Sequence, residues 1–302
     1  MDGILIIDKP DGITSHDVVS RVRRILKTKR VGHTGTLDPF ATGVMVILVG
    51  RATRLAQFLD KDEKEYEADV RFGIETDTGD RTGVRSAECG MRNEEVAATV
   101  SATNWDKTFA DFSGEIEQVP PMYSAKKIDG KKLYEHARKG EIIERKAVKV
   151  TISKLELVAP EEFRIPHSAF RIRVACSAGT YIRTLAEDIG RKIGVGAHLA
   201  ELRRTRAGRF DLSRSVTLDA LAELGDSTSS LISMEEAVEH LPSITLTDER
   251  ASKTKSGMST RLTEITFPVA QPVRMLDKND NILAIGFYDE TESSIRPKVV
   301  LV

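Results

Sequence analysis

Cysteine is scarce in this chain. Cys89 and Cys176 are the only two, too few for a disulfide framework or a four-cysteine zinc site. Long apolar runs are missing as well: none approaches the ~20 residues of a spanning helix, which excludes a helical transmembrane protein. The opening, Met1-Asp2-Gly3-Ile4, lacks the basic stretch and apolar core of a secretory signal. There are no repeats, no low-complexity tracts and no coiled-coil heptads. A cytoplasmic, metal-free protein without membrane contact is expected, and a monomer by default. What is present suffices for a large core: 302 residues, 40% of them hydrophobic, are enough for one large domain or one large and one small, and too apolar for a disordered chain.

The net charge of −1 conceals uneven patterning. Arg21 to Arg30 holds six basic residues and no acidic one, and Lys126 to Lys149 holds nine basic against four acidic. Arg203, Arg204, Arg206 and Arg209 form a third cluster, whereas Asp219 to Arg250 carries eight acidic residues and one basic. A single cluster reads as a solvated face. Three within the first 210 residues favour a polyanion-binding surface, and so a nucleic-acid partner.

Gly3 to Ile7 reads as a buried strand, Lys9-Pro10-Asp11-Gly12 as a turn, and Ser15 as the cap of a helix with an apolar stripe of Val18, Val19, Val22, Ile25 and Leu26. Val44 to Val49 and Tyr66 to Phe72 read as strands, Arg51 to Leu59 as a short helix, and Asp77-Thr78-Gly79-Asp80 as a turn. Phe170 to Cys176 alternates as a half-buried strand. After it Thr180 caps a helix striped by Ile182, Leu185, Ile189 and Ile193. Helices and strands mix without regular βα repetition, which predicts an α+β fold. Gly225 to Ser233 reads as a connection. Beyond it, apolar runs at Ile265 to Val269, Val273 to Leu276, Ile282 to Phe287 and Val299 to Val302 suggest a small β-barrel or sandwich.

The loop Gly32-His33-Thr34-Gly35-Thr36-Leu37-Asp38-Pro39-Phe40-Ala41-Thr42-Gly43 is the densest chemical feature. Its glycines permit unusual backbone geometry, and Pro39 stiffens the chain directly after Asp38. An acid held in such a loop suits catalysis. A phosphate cradle is disfavoured, since neither the Walker ending nor G-x-G-x-x-G occurs in it. An ordinary tight connection with a turn aspartate fits the residue types equally well.

Gly32 to Gly43 resembles the catalytic loop of the TruB family of tRNA pseudouridine synthases. Further matches follow in order: Gly3 to Ser15, Lys64-Glu65-Tyr66, Pro120 to Ala125, Gly179-Thr180-Tyr181-Ile182-Arg183 and Leu202-Arg203-Arg204-Thr205. The resemblance is strong over residues 1 to 215. It implies a pseudouridine-synthase α+β core over 1–235, with a central mixed, mostly antiparallel sheet and an RNA-clamping insertion at about 120–150. It also implies a small C-terminal PUA-like β domain over 240–302. The implied reaction converts the N1–C1′ glycosidic bond of a uridine into a C5–C1′ bond, without cofactor or metal.

Asp38 falls on the family's catalytic aspartate. A carboxylate there can attack C1′ or stabilise positive charge on the ribose, as in glycosidases, or take a proton from C2′. It must be ionised in a dry pocket and needs a cation, which by resemblance is Arg183. Tyr66 matches the active-site tyrosine that stacks on the flipped uracil, with a further role at the C5 proton. Tyr181 is matched to contact with base or ribose, with a core role at the helix N-terminus fitting it equally well, and His33 is matched to filling the space left when bases flip out. Lys9 and Lys64 match lysines near the RNA backbone, and Gly32 and Thr36 complete the expected substrate-binding set. The implied partner is the tRNA T-arm stem-loop, flipped at position 55, with no protein partner required. Two rival readings stand beside this one: an RNA-folding module with secondary catalysis, and the guide-RNA-dependent relative that works in a complex. The latter is disfavoured by the absence of a basic tail.

Overall fold

The computed structural model describes the chain except for residues 89, 129, 159–168, 225–226 and 263–265. Cys89, the start of the Gly225 to Ser233 connection and the first residue of the Ile265 to Val269 run therefore lie outside the described residues. The strands of the first 211 residues are β1 (Gly3–Lys9), β2 (Val31–His33), β3 (Thr42–Val49), β4 (Lys64–Phe72), β5 (Ile74–Thr76), β6 (Arg85–Glu88), β7 (Gly114–Gln118), β8 (Lys127–Ile128), β9 (Lys131–Lys132), β10 (Val148–Leu157), β11 (Ala169–Cys176), β12 (Ala197–Ala207) and β13 (Phe210–Asp211). Seven of them form a sheet ordered β1-β3-β12-β4-β11-β10-β7, with β2 beside β3 and β13 beside β12. Every pairing in it is antiparallel except β3 with β12. This is the mixed, mostly antiparallel sheet that the family resemblance implies.

Helix α1 (Ser15–Ile25) buries Val18, Val19 and Val22 against β1 and β3 and leaves its basic face in solvent. Its cap is Thr14, not Ser15: the Thr14 hydroxyl accepts from the Asp17 N–H while the Asp17 carboxylate accepts from the Thr14 N–H. This reciprocal pair satisfies two helix-end donors and outcompetes a lone serine. Five helices follow in the same region: α2 (Ala56–Leu59), α3 (Asn93–Ala102), α4 (Trp105–Ala110), α5 (Leu133–Ala137) and α6 (Ile182–Lys192). The stretch read as one helix from Arg51 begins as a 3-10 turn, Gly50–Leu55, before α2. Helix α6 buries Ile182, Leu185 and Ile189 in one core with Ala68 and Val70 of β4, Ile172 of β11 and Leu199 of β12, worth roughly 1.5–3 kcal/mol each. Thr180 does not cap it. Tyr181 occupies the cap without a side-chain bond, and the Thr180 hydroxyl donates instead to the Ser177 carbonyl.

After α7 (Leu218–Glu223) and α8 (Met234–Ala237), strand β14 (Ser243–Thr245) opens a second sheet. Helix α9 (Asp248–Lys255) precedes β15 (Thr260–Arg261), β16 (Pro272–Leu276), β17 (Ile282–Asp289) and β18 (Ser294–Val300), in sheet order β14-β16-β17-β18-β15. The described part of the Ile265 to Val269 run is not a strand. Leu276, Ile282, Ile285, Val299 and Leu301 pack in one core with Ile4, Val44, Val46 and Leu48, so the two sheets share buried apolar surface. No described helix is long and apolar enough to cross a membrane.

Candidate active site

Four strands bring one residue each onto a single row of the sheet. Lys9 of β1 lies opposite Gly43 of β3, Gly43 beside Arg204 of β12, and Arg204 opposite Tyr66 of β4. The row requires glycine at 43: φ is +98°, and a Cβ would sit 2.2 Å from the Arg204 carbonyl oxygen. The Asp38 loop is tied down over this row. Lys9 is fully buried, and its Nζ donates to the carbonyls of Pro10, Pro39 and Ala41 at 3.0, 2.9 and 2.7 Å. Arg204, also buried, donates from Nε to the Val44 carbonyl at 2.7 Å and from Nη2 to the Gly35 carbonyl at 3.2 Å.

Asp38 meets Arg183 in a two-point fork, Nε to Oδ2 at 2.9 Å and Nη2 to Oδ1 at 3.2 Å. This geometry combines charge with directional hydrogen bonds. The side chain of Arg183 is 4% exposed and that of Asp38 32%, so the cation is walled in while the carboxylate faces outward. Arg183 is further held by the carbonyls of Thr78 and Tyr123, both at 2.7 Å. Asp80 stands behind it, Oδ2 to Nη1 at 3.9 Å, and its Oδ1 accepts from the Thr78 hydroxyl and from the N–H and hydroxyl of Thr82. Burial raises the Asp38 pKa above the ordinary aspartate value. Arg183 opposes that rise, Asp80 adds to it and Lys9 opposes it.

Tyr66 sits in the same core as Leu37 and Phe40, which lie either side of Asp38 in the chain. Burial raises its phenol pKa further, against the Arg204 charge. At neutral pH the residue therefore offers a ring face and an O–H rather than a phenolate. Tyr181 is half-buried at the start of α6. Its backbone is clamped by Gln118, which accepts from the Tyr181 N–H at 3.0 Å and donates to its carbonyl at 3.3 Å. His33 Nδ1 accepts from the Gly35 N–H at 3.2 Å, which leaves the proton of the neutral ring on Nε2. Burial first, and then the Arg204 charge, lower its pKa and favour that neutral ring. Gly32 is half-buried and Thr36 exposed on the same loop.

Two expected RNA-backbone lysines turn inward. Lys9 holds the loop as described, and burial pushes its ammonium pKa down to about 8. Lys64 is 6% exposed and donates to the carbonyls of Asp60 and Asp62. The third basic cluster is likewise spent internally. Arg203 pairs with Asp8, Arg206 with Glu63 and Glu65, and Arg209 with Glu239, while Arg204 is buried. By contrast Arg21, Arg24, Lys27, Lys29 and Arg30 are exposed, and among the described residues none has a carboxylate at ion-pair distance. Three residues that the sequence reading missed complete the frame. Asp80 was hidden in what reads as a plain turn, Gln118 gave no signal, and Arg204 was counted as surface charge. Among the described residues no group of three or more His, Cys, Asp or Glu side chains could hold a metal ion.

Comparison with known proteins bears on this geometry. Residues 23–182 match the N-terminal domain of TruB family pseudouridylate synthases, and residues 183–239 match the C-terminal domain of tRNA pseudouridylate synthase B. The chain is 41% identical over 308 residues to the tRNA pseudouridine synthase B of Bacillus cereus, covering 100% of this chain and 98% of that protein. It is 43% identical over 289 residues to that of Geobacillus thermodenitrificans, covering 94% of each. Among solved structures it resembles a chain of an H/ACA RNP bound to a substrate RNA containing 2′-deoxyuridine. There the TM-score is 0.71 at 25% identity, over 99% of this chain and 85% of that one. A chain of a Cbf5-Nop10-Gar1 complex gives a TM-score of 0.71 at 27% identity, over 99% and 85%.

Proposed function

Because this chain belongs to the TruB family of pseudouridylate synthases and is a tRNA pseudouridine synthase, we propose that it isomerises the uridine at position 55 in the T loop. The observation that carries the reading is the Asp38–Arg183 fork, a partly exposed carboxylate backed by a buried cation. A stacked uridine hides C1′ from any protein carboxylate, so the nucleotide must flip out at a cost of a few kcal/mol, which is smallest in a loop. Asp38 then faces the ribose as an anion. The N1–C1′ bond breaks with its electron pair on the uracil and positive charge on C1′ shielded by Asp38, the uracil turns, C5 bonds to C1′, and loss of the C5 proton together with protonation of N1 restores the ring. Tyr66 supplies the stacking face for the turning base. Arg183 keeps Asp38 ionised, because its charge opposes the pull of burial.

The exposed cations of α1 and the following turn, together with the segment at about 120–150, are read as the phosphate-contacting faces of a T-arm site. The cytoplasm is where such a substrate is met, and the monomer acting alone is the form proposed. The C-terminal sheet is read as a PUA-like domain, secondary in RNA contact.

The test is to incubate purified protein with unmodified tRNA transcript and map pseudouridine by carbodiimide-blocked primer extension. One stop at position 55, absent when that base is changed to cytidine, is expected. Stops elsewhere would refute the T-loop assignment, and no stop at all without an added guide RNA would favour the complex-dependent relative.

A further inference from the structure

Thr14, not Ser15, caps α1, so the Ser15 hydroxyl is free for another task. It is 3% exposed and bonded twice to one residue. Oγ donates to the Leu37 carbonyl at 2.9 Å and accepts from the Leu37 N–H at 2.8 Å. Leu37 directly precedes Asp38. Both backbone polar groups of that residue are therefore satisfied by one side chain, across 22 positions of sequence. Nearby, the Gly12 N–H donates to the Pro39 carbonyl at 3.0 Å, and Lys9 reaches the carbonyls of Pro39 and Ala41. The β1–α1 turn and the start of α1 thus grip the loop on both sides of Asp38, and among the described residues Ser15 makes the hydrogen bonds on the N-terminal side.

We propose that Ser15 is a positioning residue for Asp38. Its hydroxyl fixes the Leu37 peptide groups and so fixes the direction of the next Cα–Cβ bond. Ser15 is also the first residue of α1, whose exposed face carries Arg21 and Arg24. The same contact therefore couples the helix proposed to hold RNA phosphates to the loop that carries the carboxylate. A bound RNA and the reacting group are then referred to one rigid body, which is the condition for a near-attack geometry. Without the hydroxyl, Leu37 keeps its place through its buried side chain, but its N–H and carbonyl lose their partner and the loop is free to shift. Misplacement of a reacting group by about 1 Å costs on the order of 100-fold in rate.

This inference rests on Asp38 as the group that meets the ribose, and the experiment separates the two. Single-turnover rates and tRNA dissociation constants are measured for wild type, Ser15→Ala, Ser15→Thr and Asp38→Asn, with rates expressed per folded molecule by correcting for the thermally unfolded fraction. Ser15→Ala is expected to lose about 10- to 100-fold in single-turnover rate while Kd stays within about twofold. Ser15→Thr, which keeps the hydroxyl, is expected to recover most of that rate. A merely structural role would lower Tm and leave the corrected rate unchanged. If Ser15→Ala does not fold, Ser15→Cys, of similar size and much weaker hydrogen bonding, is judged by the same criterion. A wild-type corrected rate for Ser15→Ala, a loss confined to Kd, or a Ser15→Thr protein as slow as Ser15→Ala would each overturn the proposal. An active Asp38→Asn would sink the underlying assignment instead, whatever Ser15 does.

Discussion

At Asp38 two opposing influences meet. Burial disfavours the carboxylate, and Arg183, the largest opposing influence, offsets part of that rise. The proposed reaction uses the Asp38 anion, and burial holds its pKa in the fold above the ordinary aspartate value. Activity is therefore expected to be full well above that pKa and to be lost on acidification sooner than a free aspartate would require. Removing the positive charge with Arg183→Ala is expected to move that acid limb to higher pH and to lower turnover at least 100-fold. A pH–rate profile of both proteins checks this, and an acid limb that does not move would show that Asp38 relies on another cation. Glu187, one turn beyond Arg183 on α6, gives a second pH signature. Burial pushes its carboxyl from 4.5 to about 7, with Arg191 opposing. A folded-state pKa raised above the unfolded value penalises the ionised form. That penalty is absent below about 4.5, grows through the window up to about 7 and is constant above it. Glu187→Gln is thus expected to raise Tm at pH 8, by the equivalent of about 1–3 kcal/mol, and to change little at pH 4.5. Thermal melts at the two pH values decide it. At this scale the sequence is legible where a residue type has one dominant use in its motif, as with Asp38 in its glycine-rich loop. It is misleading where one type has several uses. Lys9, Lys64, Arg204 and Arg206 look like surface charge in a string of letters, yet their carbonyl and carboxylate partners lie tens to hundreds of positions away or in folded-back turns.

Elements carry the site by register. Lys9, Gly43, Arg204 and Tyr66 come from four strands, of which β1, β3 and β4 are legible in their apolar pattern, whereas β12, with arginines at 203, 204 and 206, carries no such pattern. The parallel contact between β3 and β12 was not readable. It brings Gly43 against Arg204 and depends on a crossover that no local period encodes. Gly43→Ala is expected to force β3 and β12 apart, given the 2.2 Å approach, and to yield protein with little soluble, folded fraction. The start of α1 offers a sharper contrast, because neighbouring hydroxyls do different work. Thr14→Ala removes the reciprocal cap and is expected to cost about 1 kcal/mol of stability with an unchanged rate per folded molecule. Ser15→Ala is expected to show the reverse pattern. The sequence reading placed the cap one residue late because both residues are good caps in isolation, and only the Asp17 carboxylate reaching back to Thr14 decides between them.

For the whole molecule, the first sheet holds the proposed reacting groups and the second is joined to it by shared core. Leu276, Ile282, Ile285, Val299 and Leu301 would each forfeit roughly 1.5–3 kcal/mol of burial if separated from the first sheet. A chain ended after residue 240 also strips cover from Ile4, Val44, Val46 and Leu48, and is expected to aggregate rather than to persist as a smaller enzyme, as size-exclusion chromatography would reveal. The spacing of apolar runs marks the strands of the small C-terminal β unit but does not say against what they pack. In the proposed reaction Asp38 drives an isomerisation in which C5 gives up its hydrogen. The most direct measurement is tritium release from tRNA transcript labelled at uridine C5, incubated with wild-type protein and with Asp38→Asn. One label released per tRNA by wild type, none by Asp38→Asn at equal tRNA affinity, is the expected result. Release by Asp38→Asn above a few per cent of the wild-type rate would contradict the account.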